Sequence, residues 1–161
     1  MASDIFAKIG DIKGESLDAK HKDEIEVLSF SWGVTNAGAT AAGSGGGAGK
    51  ATFQDLFFIH KIDKASPLLM RACATGTHLK EATITHRKAG KDQQEFLKYK
   101  FNDIIISSYQ TGGSGHGDVV PTDQISFNFV KIEVLYKPQK ADGTLDAGTP
   151  VGYDLATQKA H

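Results

Sequence analysis

Hydrophobic and polar residues alternate along most of the chain, which is typical of β-strands with one buried face. A first predicted strand has Ile5, Ala7 and Ile9 on one face. In the next strand, the predicted inward residues are Leu28, Phe30, Trp32 and Val34. The residues predicted to face the other way are Ser29, Ser31, Gly33 and Thr35. The pattern therefore predicts a mainly β protein.

Later segments extend the same pattern. A third predicted strand is apolar on both faces, with Phe53, Phe57 and Ile59 on one and Leu56, Phe58 and Ile62 on the other. Such a strand is expected to be central or covered. Residues 82–88 and 94–101 flank a turn and predict a hairpin. The apolar positions change from odd to even near Phe129, which predicts a bulge or a change of sheet. Residues 151–155 predict a short final strand.

One short helix is predicted after Ser66. Ser66 is suited to the N-cap, Pro67 to the first turn, and Gly76 to the C-terminus. Leu69, Met70 and Cys73 form its predicted apolar stripe. Short strands with one helix predict a barrel or sandwich with a helix on its flank. The length of 161 residues fits a single domain over 1–161, with a glycine-rich loop at 38–49 and a flexible tail at 156–161.

Composition argues against several classes of protein. The 18 basic and 19 acidic side chains give a net charge of −1, without the basic excess of nucleic-acid or membrane-surface binders. Cys73 is the single cysteine, so no internal disulfide or cysteine-based zinc site is expected. The first residues lack the apolar stretch of a cleavable signal peptide. We therefore expect a chain made in the cytoplasm, without direct membrane insertion.

The sequence predicts no catalytic, metal or cofactor site. Residues 44–51 resemble a phosphate-binding loop, but Ser44 replaces its first glycine and Ala51 its hydroxyl residue. His60, His78 and His86 lie in or beside strands and could meet in space, although none has helical zinc spacing. No Gly-x-Ser-x-Gly elbow stands between a strand and a helix. The protein is therefore predicted not to be an enzyme.

The strand face with Ser29, Ser31 and Thr35 is small, uncharged and rich in hydroxyls. One interpretation is an ordinary solvated face, although such faces usually include Lys and Glu. The other is the wall of a confined space or a subunit boundary. The pattern alone does not decide between these two interpretations.

Several stretches, in order along the chain, together resemble one family. They are KIGDIKGES at 8–16, FSWG at 30–33, IDKASP at 62–67, RKAG at 87–90, TGGSG at 111–115 and YKPQKADG at 136–143. The chain resembles the haemolysin-coregulated protein (Hcp) family, the tube subunits of bacterial type VI secretion systems. This resemblance implies a single Hcp-like domain, a compact β-barrel of two sheets with one short flanking α-helix.

The resemblance also implies function. Hcp subunits form hexameric rings that stack into a tube, which a contractile sheath drives outward behind a spike protein. The subunit is itself exported, and its rings can hold effector proteins. We expect Ser29, Ser31 and Thr35 to contact effectors in the lumen. The loop that contacts neighbouring subunits is expected to include Gly38, Thr40, Ser44, Gly46 and Lys50.

Two other classes remain. A monomeric β-barrel that binds a small molecule or peptide would bury a cavity, and a hydrolase would need clustered polar groups in one pocket. Some Hcp proteins carry a toxic enzyme domain after the barrel. Because this chain ends soon after its last predicted strand, no such domain is expected.

Overall fold

A computed structural model describes residues 3–38, 50–88, 92–117 and 120–161. These residues form eleven strands and one helix. Their bounds are β1 (Ser3–Ile9), β2 (Ile25–Ser31), β3 (Val34–Asn36), β4 (Ala51–Phe53), β5 (Leu56–Lys61), α1 (Ser66–Thr75), β6 (His78–Lys88), β7 (Glu95–Gly112), β8 (Thr122–Asn128), β9 (Lys131–Tyr136), β10 (Val151–Asp154) and β11 (Lys159–Ala160).

Six antiparallel strands close into a barrel. Their order is β7-β6-β1-β2-β5-β8, and β8 pairs back onto β7. Strands β9, β10 and β11 continue the sheet beyond β7, while β3 and β4 form a separate two-stranded sheet. The predicted β-barrel with one short helix is confirmed.

The long strand β7 joins the barrel to its extension. Residues Leu97 to Asn102 pair with β9, and residues Ile105 to Gly112 pair with β8. Between them Asp103 has a φ of 55°, a left-handed conformation that bends the strand. Near Phe129, where a bulge or a change of sheet was predicted, the chain breaks into two strands: β8 ends at Asn128, and β9 then pairs with the other half of β7 within the same nine-stranded sheet.

A register shift in β2 changes which residues face the core. The pairing with β5 slips between Val27 and Ser29, as expected of a β-bulge. Leu28 is therefore 53% exposed, so its predicted inward orientation is wrong. Val34 is also exposed, because β3 leaves the barrel. Phe30 and Trp32 do pack against the core, as predicted.

The helix α1 has the predicted C-terminus but a different N-cap. Gly76 adopts a left-handed conformation, and its N–H donates to a helix carbonyl. The N-cap is Ala65, and the hydroxyl of Ser66 instead accepts from the amide of Asp63 at 3.1 Å. The buried residues of the helix are Ser66, Leu69 and Ala72. Met70 is 48% exposed, so its place in the predicted stripe is wrong.

Side chains fill the interior of the barrel. Phe58, Phe101 and Phe127 have no exposed surface, and the rings of Phe101 and Phe127 pack edge to face at 5.1 Å between centroids. Full burial of such a side chain stabilises the fold by about 1.5–3 kcal/mol. The closed sheet is thus held from within by aromatic and aliphatic packing.

The C-terminal residues pair with the extended sheet. Lys159 and Ala160 form β11 against β10, and the backbones of Gly152 and His161 exchange two hydrogen bonds of 2.7 and 2.9 Å. Residues 156–161 thus form a turn and a strand in the structure, where the sequence predicts a flexible tail. A two-residue strand is too short to show a period-two pattern.

Candidate interaction surface

One part of the outer barrel surface presents only uncharged side chains, and we call it the uncharged face. It is built where β2, β5, β8 and the second half of β7 lie side by side. Residues that pair across antiparallel strands share a face. The register therefore brings together Ser29, Ser31, Phe57, Ile59, Ser108, Gln110, Gln124 and Ser126. Charged Glu26 and Lys61 lie at one end of this face, and Asp55 lies at the other.

Phe57 and Ile59 lie at the centre of the uncharged face. They alternate along β5 with Leu56, Phe58 and His60, which have no exposed surface. Phe57 and Ile59 are half-buried, so they form a small apolar strip on the outside. Hydroxyl and amide side chains from the neighbouring strands flank this strip. An apolar centre with a polar rim is the usual anatomy of a protein–protein contact.

Hydroxyl groups are linked at one end of the uncharged face. The hydroxyl of Ser107 donates to the Asp55 carboxylate at 2.6 Å and lies 2.9 Å from the hydroxyl of Ser126. Ser126 also contacts the hydroxyl of Ser108. The hydroxyls are therefore held in place before any partner binds.

The outer face of β1, β6, the first half of β7 and β9 is different, and we call it the charged face. Its charged members are Asp4, Lys8, Glu81, Lys98, Lys100, Lys131 and Glu133. Some of these charges pair, such as Lys100 with Glu81 at 3.8 Å. The barrel therefore presents two chemically distinct outer faces.

The structure brings together only some of the residues singled out in the sequence. Ser29 and Ser31 are exposed on the uncharged face. Thr35 is exposed in β3, in the separate two-stranded sheet. Gly38 and Lys50 are exposed at either side of residues 39–49. Thr40, Ser44 and Gly46 lie outside the described residues.

Sequence reasoning missed most of the uncharged face. Phe57 and Ile59 carried a signal, since their strand was predicted to be apolar on both sides. Ser108, Gln110, Gln124 and Ser126 carried none, because nothing in a single strand tells which other strand it will join. The face exists only once the barrel closes.

A buried polar cluster lies inside the barrel. His60 and Asp123 have no exposed surface, and Nε2 of His60 is 3.3 Å from a carboxylate oxygen of Asp123. The hydroxyl of Tyr109 donates to Asp123 at 3.0 Å. Burial, and then the hydrogen bond to Asp123, raise the pKa of Tyr109, and burial raises the pKa of Asp63 nearby. Because His60 and Asp123 are sealed from solvent, they cannot contact a substrate.

Among the described residues there is neither a metal-binding group of side chains nor a membrane-spanning helix. His60, His78 and His86 do not meet, and within 3–38, 50–88, 92–117 and 120–161 no three His, Cys, Asp or Glu side chains are grouped to hold a metal. In that part of the chain no helix has the length and apolar character to cross a membrane.

These features define a closed β-barrel protein with two chemically distinct outer faces. Residues 6–136 match the family described as "Type VI secretion system effector, Hcp". The chain is 49% identical over 154 residues to "Protein hcp1" of Pseudomonas aeruginosa, which covers 95% of this chain and 94% of that protein. This chain therefore belongs to the Hcp family of type VI secretion system proteins.

Solved structures agree in fold. One titled "Structure of a type six secretion system protein" superposes with a TM-score of 0.92 at 33% identity, covering 99% of this chain and 100% of that one. Hcp1 from Salmonella typhimurium superposes with a TM-score of 0.80 at 35% identity, covering 100% of both chains. The barrel, its extension and its helix are thus those of the Hcp fold.

Proposed function

We propose that this chain is a non-enzymatic subunit of hexameric rings, which stack into the inner tube of a type VI secretion system. In this arrangement the uncharged face lines the lumen, where effector proteins are carried, and the subunit itself is exported. The observation that carries the proposal is the contrast between the uncharged and charged faces of one barrel in an Hcp-family chain.

The chemistry of the uncharged face suits a channel that must hold and then release a protein. Serine hydroxyls and glutamine amides can each donate and accept hydrogen bonds, so they adapt to many surfaces. Without charges, the wall makes no strong ion pairs with cargo, and like charges do not repel it. The Phe57–Ile59 strip is small enough that its contacts stay weak. Ser29 and Ser31 belong to this wall in our proposal.

The charged face is proposed to face away from the lumen. Lys98, Lys100 and Lys131 on this face would be accessible to the contractile sheath that surrounds the tube. The spike protein would contact the end of the stacked rings. Nucleic acid is not a proposed partner, because the net charge of the chain is −1.

The segment 38–49 is proposed to contact neighbouring subunits. Its base is anchored, because β3 pairs with β4 from Val34–Phe53 to Asn36–Ala51. The ring of Phe53 stacks on Tyr153 at 5.4 Å between centroids. Residues that follow an anchored strand pair can contact a second subunit without disturbing their own barrel.

A monomeric barrel that binds a small molecule or peptide is the alternative function. Lipocalin-type barrels hold a ligand inside. Here Phe58, Phe101 and Phe127 occupy the interior and are fully buried. This packing favours a function at the outer surface.

Labelling of the two faces tests the proposal. Ser31→Cys and its matched control Lys98→Cys, each in a Cys73→Ala background, are labelled with a maleimide-linked gold cluster and imaged by negative-stain electron microscopy. We expect gold at the centre of rings for Ser31→Cys and at their periphery for Lys98→Cys. Gold at the periphery for both, or single particles without rings, would contradict the proposal.

Cargo retention tests the lumen assignment separately. Ser31→Gln places a longer side chain on the wall, so we expect less effector protein to co-purify with intact rings. Lys98→Gln introduces the same side chain on the charged face and should leave retention unchanged. If Ser31→Gln and the unmodified protein retain the same amount of effector protein, Ser31 does not contact the cargo.

A further inference from the structure

Residues Gly14 to Glu24 form a segment between β1 and β2 that we call the 14–24 loop. Its large apolar side chain, Leu17, is 91% exposed and contributes nothing to its attachment. His21 and Ser16 are buried instead, at 7% and 1% exposure. Backbone hydrogen bonds within the loop fix its conformation, such as the one that the Gly14 N–H donates to the Asp23 carbonyl at 2.8 Å. Polar and charged groups therefore carry its attachment to the barrel.

His21 joins the loop to the distant strand β7. Its Nδ1 lies 2.8 Å from a carboxylate oxygen of Glu24, and its Nε2 lies 2.7 Å from one of Glu95. An ionised carboxylate can only accept hydrogen bonds, whereas a neutral imidazole has only one N–H. Both contacts can be hydrogen bonds to carboxylates only when His21 carries two protons. The ring also stacks on Phe6, with centroids 4.4 Å apart and planes 9° apart.

A second cation fastens the same loop. The Arg87 guanidinium donates two hydrogen bonds to Asp18, at 2.9 and 2.6 Å, and one to Asp4 at 3.2 Å. Its Cζ lies 4.8 Å from the centroid of the Phe6 ring. The hydrogen bond from Arg87 is the main cause that lowers the pKa of Asp18 to about 2. This ion pair therefore stays charged through the neutral range.

Without the proton on His21, the carboxylates around Phe6 have less positive charge in contact with them. The groups from all the packed elements are Asp4 of β1, Asp18 and Glu24 of the loop, Arg87 of β6 and Glu95 of β7. Among the described residues of this cluster, four carboxylates thus face Arg87 and His21. If His21 loses its charge, Glu24 and Glu95 lose the cation that they contact, and a ring lone pair points at a carboxylate oxygen.

We propose that doubly protonated His21 is a pH-sensitive latch that fastens the 14–24 loop to β7 and releases it as the pH rises. Histidine is the side chain that ordinarily changes charge between pH 5 and 8. Because a neutral imidazole has a single N–H, loss of the proton removes the hydrogen bond from His21 to one of its two carboxylate partners. The proposal does not depend on ring formation.

Trypsin cleavage of the loop tests the latch, because Lys20 and Lys22 are exposed within it. The cleavage rate of His21→Gln is divided by that of the unmodified protein at the same pH, which cancels the pH dependence of the protease. We expect a ratio of about ten at pH 6, because a hydrogen bond to a charged group contributes about 1.5 kcal/mol, which corresponds to a factor of about ten. The ratio should fall towards one at pH 9. A ratio that is equal at both pH values, whether near one or higher, would overturn the proposal.

Two further measurements provide a control variant and an independent readout of the His21 protonation state. His78→Gln alters an exposed histidine at the start of β6 and should cleave like the unmodified protein at every pH. In ¹⁵N NMR of the unmodified protein, both ring nitrogens of His21 should show the shifts of an imidazolium at pH 6. A neutral-imidazole pattern at pH 6 would contradict the latch even if His21→Gln folds poorly.

Discussion

Arg87 is almost completely buried and yet fully ionised. Its side chain is 3% exposed, but three hydrogen bonds to Asp4 and Asp18 and the face of Phe6 replace its water. A buried charge is tolerated when partners satisfy its donors, and removal of one partner leaves an expensive unpaired group. At the residue scale, such satisfied charges hold a loop that has little apolar anchoring.

The dependence of Asp18 on Arg87 gives a direct prediction. In Arg87→Leu, the Asp18 carboxyl should titrate near its ordinary pKa of 3.8 rather than about 2. Because the pKa is lowered in the folded protein, the pair adds stability above pH 3.8, which is lost as the pH falls through about 2. Carboxyl NMR titration measures this change. The pKa of Asp142, which the Thr144 hydroxyl lowers, should stay low in the same spectrum.

An Asp18 pKa that remains near 2 in Arg87→Leu would show that the backbone amides of Lys20 and His21 hold its charge instead. The Arg87 contact would then be a consequence of the loop conformation and not its cause.

Gly14 is required by close backbone contact. A Cβ atom at this position would lie 2.6 Å from the carbonyl oxygen of Glu24 and 2.8 Å from Cα of Ile25. Gly14→Ala should therefore lower the free energy of unfolding by about 1–3 kcal/mol, as overpacking does. Gly112→Ala is the matched control, because a Cβ there meets nothing within 4 Å. Urea unfolding measures both, and equal losses would contradict this reason.

At the scale of elements, the sequence predicted the alternation of residues within strands and the order of the elements along the chain. It predicted less well the places where a strand changes its pairing partner. The slip near Phe129 was visible because the apolar phase changes within one apolar run. In β2 the bulge between Val27 and Ser29 was hidden, since Leu28 continues the apparent alternation. Helix α1 was located by Pro67 and Gly76, but its buried side depends on how it meets β7.

The difference between the buried and the exposed side of helix α1 can be measured by mutation. Leu69 has no exposed surface, whereas Met70 is 48% exposed. Leu69→Ala should cost about 2–5 kcal/mol of stability, as for other buried large-to-small substitutions. Met70→Ala should change stability by only about 0.5 kcal/mol, as at most surface sites. Urea unfolding of the two variants would contradict the described packing if Met70→Ala had the larger effect.

The uncharged face also shows that the sequence does not reveal which strands pair. Ser29 and Ser31 could be predicted because their small hydroxyls stand opposite large aromatic residues on one strand. Thr35 fits that pattern equally well, but the chain leaves the barrel after Ser31, so Thr35 enters another sheet. The remaining members of the uncharged face come from three other strands, and their pairing is a property of the tertiary fold.

At the scale of the whole molecule, the barrel combines a filled interior with two unlike outer faces. Identical subunits in a head-to-tail contact form a ring when the rotation closes. In such a ring each barrel can turn its uncharged face inward and its charged face away. The proposed ring would account for the eight uncharged side chains that four neighbouring strands present on one face of a protein with 23% charged residues.

The mass of the purified protein in solution, by light scattering on a sizing column with negative-stain images of the same peak, tests this account most directly. We predict six times the chain mass of 17.2 kDa and ring-shaped particles with an open centre. A mass of 17.2 kDa at every concentration, with no rings, would contradict the account and favour a monomeric binding barrel.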